Sequence, residues 1–267
     1  MQGRPLLIAL AATTITFALA PAAGAEQAAT IPSATPLPPE EAPIEGAPHA
    51  PVAPTPDVTL SNEKSTTTWA HPIDELPIYT LPEDRAHKIT HTHLLTEDGF
   101  SEIYMVLVSH VDSAGQTWLK IRIPGRPNGR EGWVRREALG DLHVTHWAIV
   151  INRHTERLTV SYEGRRRYVA PVGVGKPSTP TPPGNFWIRE RFKLTNPKNP
   201  YFPYALGTSD YSTLSEWPGG GVVGIHGPFG EPGRIPGHPS HGCVRMLDKG
   251  IAWVGSHITL GTPVRII

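Results

Sequence analysis

Cysteine is almost missing from this sequence: Cys243 is the only one among 267 residues. A lone cysteine cannot form a disulfide within its own chain. It also cannot supply the paired thiolates of most structural zinc sites, and no His-Glu-x-x-His element offers another zinc motif. The composition therefore argues against a disulfide-stapled fold and against a common zinc site.

Net charge is absent as well, because 24 Lys and Arg balance 24 Asp and Glu. Without a global positive field the chain is not expected to bind nucleic acid. Residues 141–267 nevertheless carry 14 basic and 8 acidic side chains, a net of +6 (14 − 8). That excess suits an anionic polymer, and it equally suits an ordinary solvated surface.

The sequence has no apolar run long enough to cross a bilayer, which takes about 20 residues. The longest run, Leu6–Ala20, follows Arg4 and precedes Ala23-Gly24-Ala25. This order predicts a secretory signal peptide over residues 1–25, cleaved before Glu26. We therefore expect an exported protein in the cell envelope. There a single cysteine indicates pairing between chains or a reactive nucleophile.

Nine prolines crowd into residues 26–66. A segment this rich in proline and poor in apolar side chains cannot offset its ordering entropy, so a disordered linker is predicted. Residues 67–140 then alternate short β-type runs with turn signals such as Pro124–Gly129. Their Trp118-Leu119-Lys120-Ile121 and Gly132-Trp133-Val134 runs resemble a bacterial SH3-like domain, which implies a small β-barrel. Trp118 and Trp133 are predicted to lie in the core of this domain.

Residues 141–267 contain further strand patterns, among them Trp147–Ile151, Asn185–Arg191 and Gly221–His226. One short helix is predicted to begin with Asp248 as its N-cap. Strands and turns repeating about every ten residues favour a β-sandwich. Residues 193–221 show no periodicity, so a lid loop is predicted there.

Three histidines lie in the 17 positions before the cysteine (243 − 226). A thiol needs a base or a lowered pKa to attack a carbonyl, and His226 and His241 are the candidate bases. Gly242 allows a sharp turn beside Cys243, so that backbone N–H groups could form an oxyanion hole. These residues favour nucleophilic acyl transfer.

The segments Ile225-His226-Gly227 and Ser240-His241-Gly242-Cys243-Val244-Arg245 resemble the signature of the L,D-transpeptidase (YkuD) family. The upstream segments Val172–Lys176 and Thr179–Phe186 are similar to that family's glycine and Thr-Pro-Pro-Gly elements. The resemblance covers residues 146–267. It implies a mainly β fold: an SH3-like barrel at 67–140, then a β-sandwich catalytic domain at 141–267 with one short helix and a lid.

The resemblance also implies an activity and a set of roles. The enzyme would attack peptidoglycan stem tetrapeptides, form a cysteine thioester, release D-alanine and make 3→3 cross-links without metal or organic cofactor. Carbapenems would be covalent inhibitors. The implied site is Cys243 as nucleophile, His226 as base oriented by the Gly227 carbonyl, His241, Gly242 and Cys243 as the oxyanion site, Ser240 as loop support, and Arg245 holding the loop or a substrate carboxylate.

Several alternatives stay open at this point. Water or a protein lysine could resolve the same thioester, giving an L,D-carboxypeptidase or a protein-anchoring enzyme. A zinc site of His226, His238, His241 and Cys243, or a non-catalytic wall-binding protein, is a more distant reading. Tyr204 is predicted to contact substrate, although Tyr201, Tyr204, Tyr211 and Trp217 could equally pack the lid. The SH3-like block could contact the cell wall or act as a spacer, and His238 has no assigned role.

Overall fold

The computed structural model describes residues 56–216 and 218–267. The predicted signal peptide, most of the predicted linker and Trp217 lie outside the described residues. Among the described residues, no helix combines the length and apolarity that a membrane crossing requires.

The first part of the described chain is an antiparallel sheet. Its strands are β1 (Val58–Thr59), β2 (Thr67–Ala70), β3 (Pro77–Tyr79), β4 (Lys88–His91), β5 (Tyr104–Val111), β6 (Thr117–Ile123), β7 (Arg130–Arg135) and β8 (His143–Thr145). They run in the order β4-β3-β7-β6-β5-β2-β8, with β1 also on β5. Leu119, Ile121 and Ile123 alternate along β6 into one core. The predicted strands are confirmed, and the SH3-like assignment stays a prediction.

Both predicted boundaries of this block were misplaced. Val58 and Thr59 pair with β5, and Leu60 packs against the core of the sheet. A strand of the first sheet therefore lies inside the linker predicted over 26–66. At the other end β8 pairs with β2, so the sheet runs past residue 140. Strand pairing sets both ends of the block. At the first end the proline-rich composition conceals it.

The second part is a ten-stranded mixed sheet. Its strands are β9 (Trp147–Asn152), β10 (Arg157–Tyr162), β11 (Arg165–Pro171), β12 (Gly173–Gly175), β13 (Gly184–Lys193), β14 (Tyr204–Tyr211), β15 (Val222–His226), β16 (Gly237–Ser240), β17 (Val244–Arg245) and β18 (Pro263–Ile266). Their order is β11-β10-β9-β18-β13-β14-β15-β17-β12-β16. The sheet forms a sandwich around one apolar core. The mainly β prediction is confirmed.

The only α-helix in the described residues is α1 (Asp248–His257), and Ile251 and Val254 bury its inner face. Asp248 is its first helical residue rather than the N-cap, a position that Leu247 takes without a side-chain hydrogen bond. Short 3-10 helices occur at Arg136–Ala138 and Pro232–Arg234, and Pro218–Gly221 is a turn with left-handed backbone angles at Gly219 and Gly220.

The middle of the predicted lid is a strand. β14 pairs with β13 on one side and β15 on the other, so it is central to the sheet. Both of its faces are mostly buried, and such a strand lacks the polar–apolar alternation by which a strand is recognised. The lid prediction was wrong for 204–211, and the segments on either side of β14 remain loops.

The two sheets share buried contacts, and both lie in one compact unit. Trp187 on β13 is 2% exposed, packs with Ile103, Met105 and Leu107, and donates its Nε1–H to the Ile103 carbonyl at 3.1 Å. Beside it Arg189 and Glu102 form a buried ion pair. The first sheet is therefore part of the same folded body as the second.

This shared packing predicts one unfolding transition for the two sheets. Trp187→Ala should lower the free energy of unfolding by about 3–5 kcal/mol, because the cavity would open where both sheets meet. Trp133→Ala, at a half-exposed site on β7, should cost clearly less. Chemical denaturation followed by circular dichroism measures both. Two separate transitions, with only the second moved by Trp187→Ala, would contradict the shared core.

Candidate active site

Parallel pairing of β15 with β17 places His226 near the cysteine. Ile225 pairs with Val244 and His226 with Arg245, so Cys243, just before β17, lies beside Gly224. The Gly224 N–H donates to Cys243 Sγ at 3.4 Å, which confirms this alignment. His226 is two residues after Gly224, so its side chain emerges on the same face of the sheet as Sγ.

The imidazole of His226 is held in one tautomer. His226 is 3% exposed, and its Nδ1 lies 2.8 Å from the Gly227 carbonyl oxygen. A carbonyl only accepts hydrogen bonds, so Nδ1 carries the proton and Nε2 offers a lone pair. Burial lowers the pKa of His226 to about 4, against the opposing effect of the Gly227 carbonyl. The ring is therefore neutral near pH 7.

Gly227 is required by a close passage of the chain. A Cβ at this position would lie 1.8 Å from the Phe202 carbonyl oxygen. The Gly227 N–H donates to the Tyr201 carbonyl at 3.4 Å, and the Tyr201 ring meets His226 edge-on at 4.7 Å between centroids. The loop before β14 thus holds the His226 ring in place.

The loop carrying the cysteine is held by two buried hydroxyls. Ser240 Oγ donates to the Cys243 carbonyl at 2.5 Å and accepts the Gly242 N–H at 3.1 Å. Thr181 Oγ1 donates to the Gly242 carbonyl at 2.7 Å and accepts the Gly175 N–H at 2.9 Å. Support of this loop by Ser240 stays a prediction, to which these two hydrogen bonds correspond. The sequence placed Thr181 in a family motif but gave it no role.

These contacts change the expected oxyanion site. The Gly242 N–H, predicted to face the substrate, already donates to Ser240 Oγ. Within the described residues the Cys243 N–H makes no hydrogen bond. The Cys243 N–H is thus better placed than that of Gly242 to stabilise an oxyanion.

The thiol itself is not preionised. Burial raises the pKa of Cys243, and the Gly224 N–H and the Arg245 guanidinium offset only part of this rise. Together with the lowered pKa of His226, this gives a neutral thiol beside a neutral imidazole. Such a pair transfers its proton as the thiol attacks.

The other two histidines of the motif have hydrogen-bond or ion-pair partners of their own. His241 is exposed, and its Nε2 is 3.2 Å from Lys176 Nζ. His238 contacts the Gly175 carbonyl through Nδ1 and Glu156 through Nε2, at 3.0 and 3.1 Å. No group of three or more His, Cys, Asp or Glu in residues 56–216 and 218–267 is arranged to hold a metal. The geometry gives the zinc reading no support.

Arg245 is buried beside the cavity and faces protein groups. Its Nη1 donates to Glu231 Oε2 at 2.5 Å, and its guanidinium lies 4.8 Å from the Phe229 ring centroid. Contact with both arginines, Arg234 and Arg245, holds the pKa of Glu231 below its usual value. Of the two predicted roles, this arrangement fits holding a loop, namely the segment after β15.

Tyr204 does not lie at the site. Its ring packs against α1, where a Cβ on Gly255 would come within 2.2 Å of it. The prediction of substrate contact is wrong for Tyr204, because the first residue of β14 faces the helix. Tyr201 lines the cysteine cavity instead, and Tyr211 is buried against Arg189.

The first sheet reaches the site through its β6–β7 loop. Arg126 donates from Nε and Nη2 to the Ser212 carbonyl, at 3.1 and 2.8 Å. Asn128 exchanges two hydrogen bonds with the Tyr211 backbone and donates to Asp210 at 2.8 Å. Burial raises the pKa of Asp210 to about 8. The segment after β14 is therefore anchored by the first sheet.

Two cavities meet at the cysteine. One, of about 490 Å³, extends from Cys243 and His226 to Glu190 and Asp98. The other, of about 140 Å³, contains Cys243 and His226 together with Ser240, His241 and Arg245. A group bound to Sγ can thus be approached from two sides.

Comparison with known proteins identifies a family for the second sheet. The model of the YkuD family, described as the L,D-transpeptidase catalytic domain, matches residues 146–266. The L,D-transpeptidase YkuD of Bacillus subtilis is 31% identical over 154 residues, covering 58% of this chain and 76% of its own. L,D-transpeptidase 1 of Mycobacterium tuberculosis is 31% identical, covering 44% of this chain and 48% of its own.

Solved structures match more distantly. An L,D-transpeptidase from Mycobacterium smegmatis is 16% identical over 57% of this chain and 90% of its own, with a TM-score of 0.36. The structure of LD transpeptidase LdtMt1 in complex with imipenem is 17% identical over 77% of this chain and 83% of its own, also with a TM-score of 0.36. These TM-scores add no weight to the family match.

The raised pKa of Cys243 predicts how its reactivity varies with pH. Since the thiolate is the reactive form, alkylation by iodoacetamide should keep rising at pH values where a free thiol with a pKa near 9 has levelled off. Intact mass spectrometry after timed alkylation measures the rate, with glutathione in the same buffers as control. A plateau reached below pH 7 would show a thiolate–imidazolium pair and contradict the neutral pair.

Proposed function

The chain belongs to the L,D-transpeptidase (YkuD) family, and on that premise we propose that Cys243 forms a thioester with a peptidoglycan stem peptide and passes it to a second stem. The coarser function, an L,D-transpeptidase acting in peptidoglycan cross-linking, follows from the family and the curated relatives. The finer proposal is a 3→3 cross-link. The observation that carries it is the meeting of two cavities at Cys243 and His226.

Acylation begins with the neutral pair. As Sγ attacks the carbonyl carbon of stem residue three, its proton moves to Nε2 of His226, whose Nδ1 stays bonded to the Gly227 carbonyl. The carbonyl oxygen becomes an oxyanion beside the Cys243 N–H. The carbon–nitrogen bond to the terminal D-alanine then breaks, and its amine leaves with the proton from Nε2.

The second half-reaction needs an amine. A neutral amine of a neighbouring stem attacks the thioester carbon, gives its proton to Nε2, and displaces Sγ, which takes that proton back. A donor in the larger cavity leaves the smaller cavity open for this acceptor. Water arriving by the same path would give an L,D-carboxypeptidase, and a protein lysine would give an anchoring enzyme.

The signal peptide and the linker predicted from the sequence suggest a cellular context for this function. Residues 1–25 would direct export, and the proline-rich segment would extend the folded body towards the wall. Contact between the SH3-like block and the wall belongs to the same proposal. A non-catalytic wall-binding protein remains the rival, and it would not need a base next to its thiol.

Product analysis tests the proposal directly. Residues 26–267 incubated with a disaccharide-tetrapeptide should yield a 3→3 dimer and free D-alanine by mass spectrometry. Tripeptide alone would indicate a carboxypeptidase, and no product would support the binding protein.

Cys243→Ala should abolish turnover and keep the melting temperature. His226→Ala should lower the rate at least about 100-fold. His241→Ala should lower it less, because the expected base is His226, whose Nδ1 is bonded to the Gly227 carbonyl. A larger loss in His241→Ala would show that His226 is not the base.

Carbapenem acylation provides a second test. We propose that a carbapenem acylates Cys243, since its strained carbonyl can replace the stem carbonyl at Sγ. Intact mass should increase by one inhibitor per chain, and Cys243→Ala should show no increase. An adduct that persists in Cys243→Ala would place the acylation elsewhere.

A further inference from the structure

Glu190 lies in one row with the cysteine across four neighbouring strands. Glu190 on β13 pairs with Gly207 on β14, and Gly207 pairs with Gly224 on β15. Gly224 in turn donates to Cys243 Sγ. Directly paired residues point to the same face of a sheet. The carboxyl and the thiol therefore share a face, with two glycines between them.

The two glycines form the floor of a channel. A Cβ at Gly207 would lie 2.6 Å from Glu190 Oε2, so the carboxyl occupies the space above Gly207. Gly224 leaves the neighbouring space open beside His226 and Cys243. The cavity of about 490 Å³ follows this row.

The channel has apolar walls. Phe192 and Ala205, each two residues from a member of the row, line the same cavity. Phe100 from the first sheet meets Phe192 edge-on, with 5.0 Å between ring centroids. An aliphatic chain lying over the glycines would be enclosed by these side chains.

The end of the channel far from the cysteine is acidic. Glu190 is 6% exposed, and Thr96 of the first sheet donates to its Oε1. In residues 56–216 and 218–267 nothing donates a hydrogen bond to Oε2, although it faces the cavity. Asp98 lines the same end. Oε2 is therefore open to a donor, and a cation in the cavity would supply one.

Charges around Glu190 point the same way. Burial raises its pKa, Asp98 and Glu97 raise it further, and Thr96 and Arg189 oppose that rise. Arg189 is engaged with Glu102 and Tyr211 on the buried side. A bound ammonium would therefore stabilise the ionised carboxyl.

From this arrangement we infer that the channel is a specificity pocket for the side chain of stem residue three, and that it selects an aliphatic chain ending in an ammonium group, bound by Glu190 and Asp98. The inference rests on the proposed function, because it assumes that the carbonyl of that residue is attacked by Cys243. The attacked carbonyl lies at Sγ, and the side chain beside it extends over Gly224 and Gly207.

The dimensions agree with such a side chain. Gly207 and Cys243 are two strand spacings apart, about 9–10 Å. A lysine-type side chain reaches about 6 Å from its Cα at single-bond lengths near 1.5 Å. A charge-assisted hydrogen bond adds about 2.8 Å. The ammonium would thus arrive at the carboxyl of Glu190.

Two donor tetrapeptides test this pocket. They differ only at residue three, which is lysine in one and norleucine in the other, so that the ammonium alone is changed. D-alanine release should favour the lysine donor by at least about tenfold in kcat/KM, because the norleucine donor leaves Oε2 without a partner. Glu190→Gln should reduce the preference to near one, chiefly by lowering kcat/KM for the lysine donor. Asp98→Asn should reduce it partially.

Controls separate this inference from the proposed function. Glu83→Gln, at an exposed carboxylate on the β3–β4 turn of the first sheet, should retain the full preference. Iodoacetamide labelling of Cys243 and the melting temperature should be unchanged in Glu190→Gln. Equal rates for both donors in the unsubstituted protein would overturn the pocket alone. If neither donor acylates Cys243, the proposed function is overturned, and the pocket with it.

Discussion

The site depends on one short parallel pairing between β15 and β17. It aligns residues that are 17 positions apart in the chain (243 − 226). β17 has only two residues, so its position needs other support. The Met246 N–H extends the pairing by donating to the His226 carbonyl at 2.9 Å, and Ser240 and Thr181 fix the turn on the other side. Backbone geometry thus holds His226 and Cys243 in place.

The first sheet takes part in this geometry, which its position before the matched domain does not suggest. Arg126 and Asn128 anchor the segment that follows β14. Thr96 and Phe100 build the outer wall of the larger cavity through Glu190 and Phe192. A block that the sequence describes as a separate small domain therefore shapes the substrate side of the cysteine.

Local sequence singles out Cys243 and His226, which the structure brings together, and says little about their surroundings. Cys243, His226 and Gly227 stand out because rare residue types and glycines cluster in short segments. Glu190 does not stand out, since its meaning comes from pairing with Gly207 on another strand. Tyr204 misled for a related reason: its aromatic ring suggested a substrate contact, whereas packing against α1 decides its place. A short segment of sequence carries no information about which distant strand it pairs with.

The most direct test of the account is a crystal structure of the protein acylated by a stem peptide. We predict a thioester between Cys243 Sγ and the carbonyl carbon of residue three, with Nε2 of His226 beside it and Nδ1 still bonded to Gly227. A peptide bound only through polar contacts, with an unmodified thiol under conditions of turnover, would contradict the account.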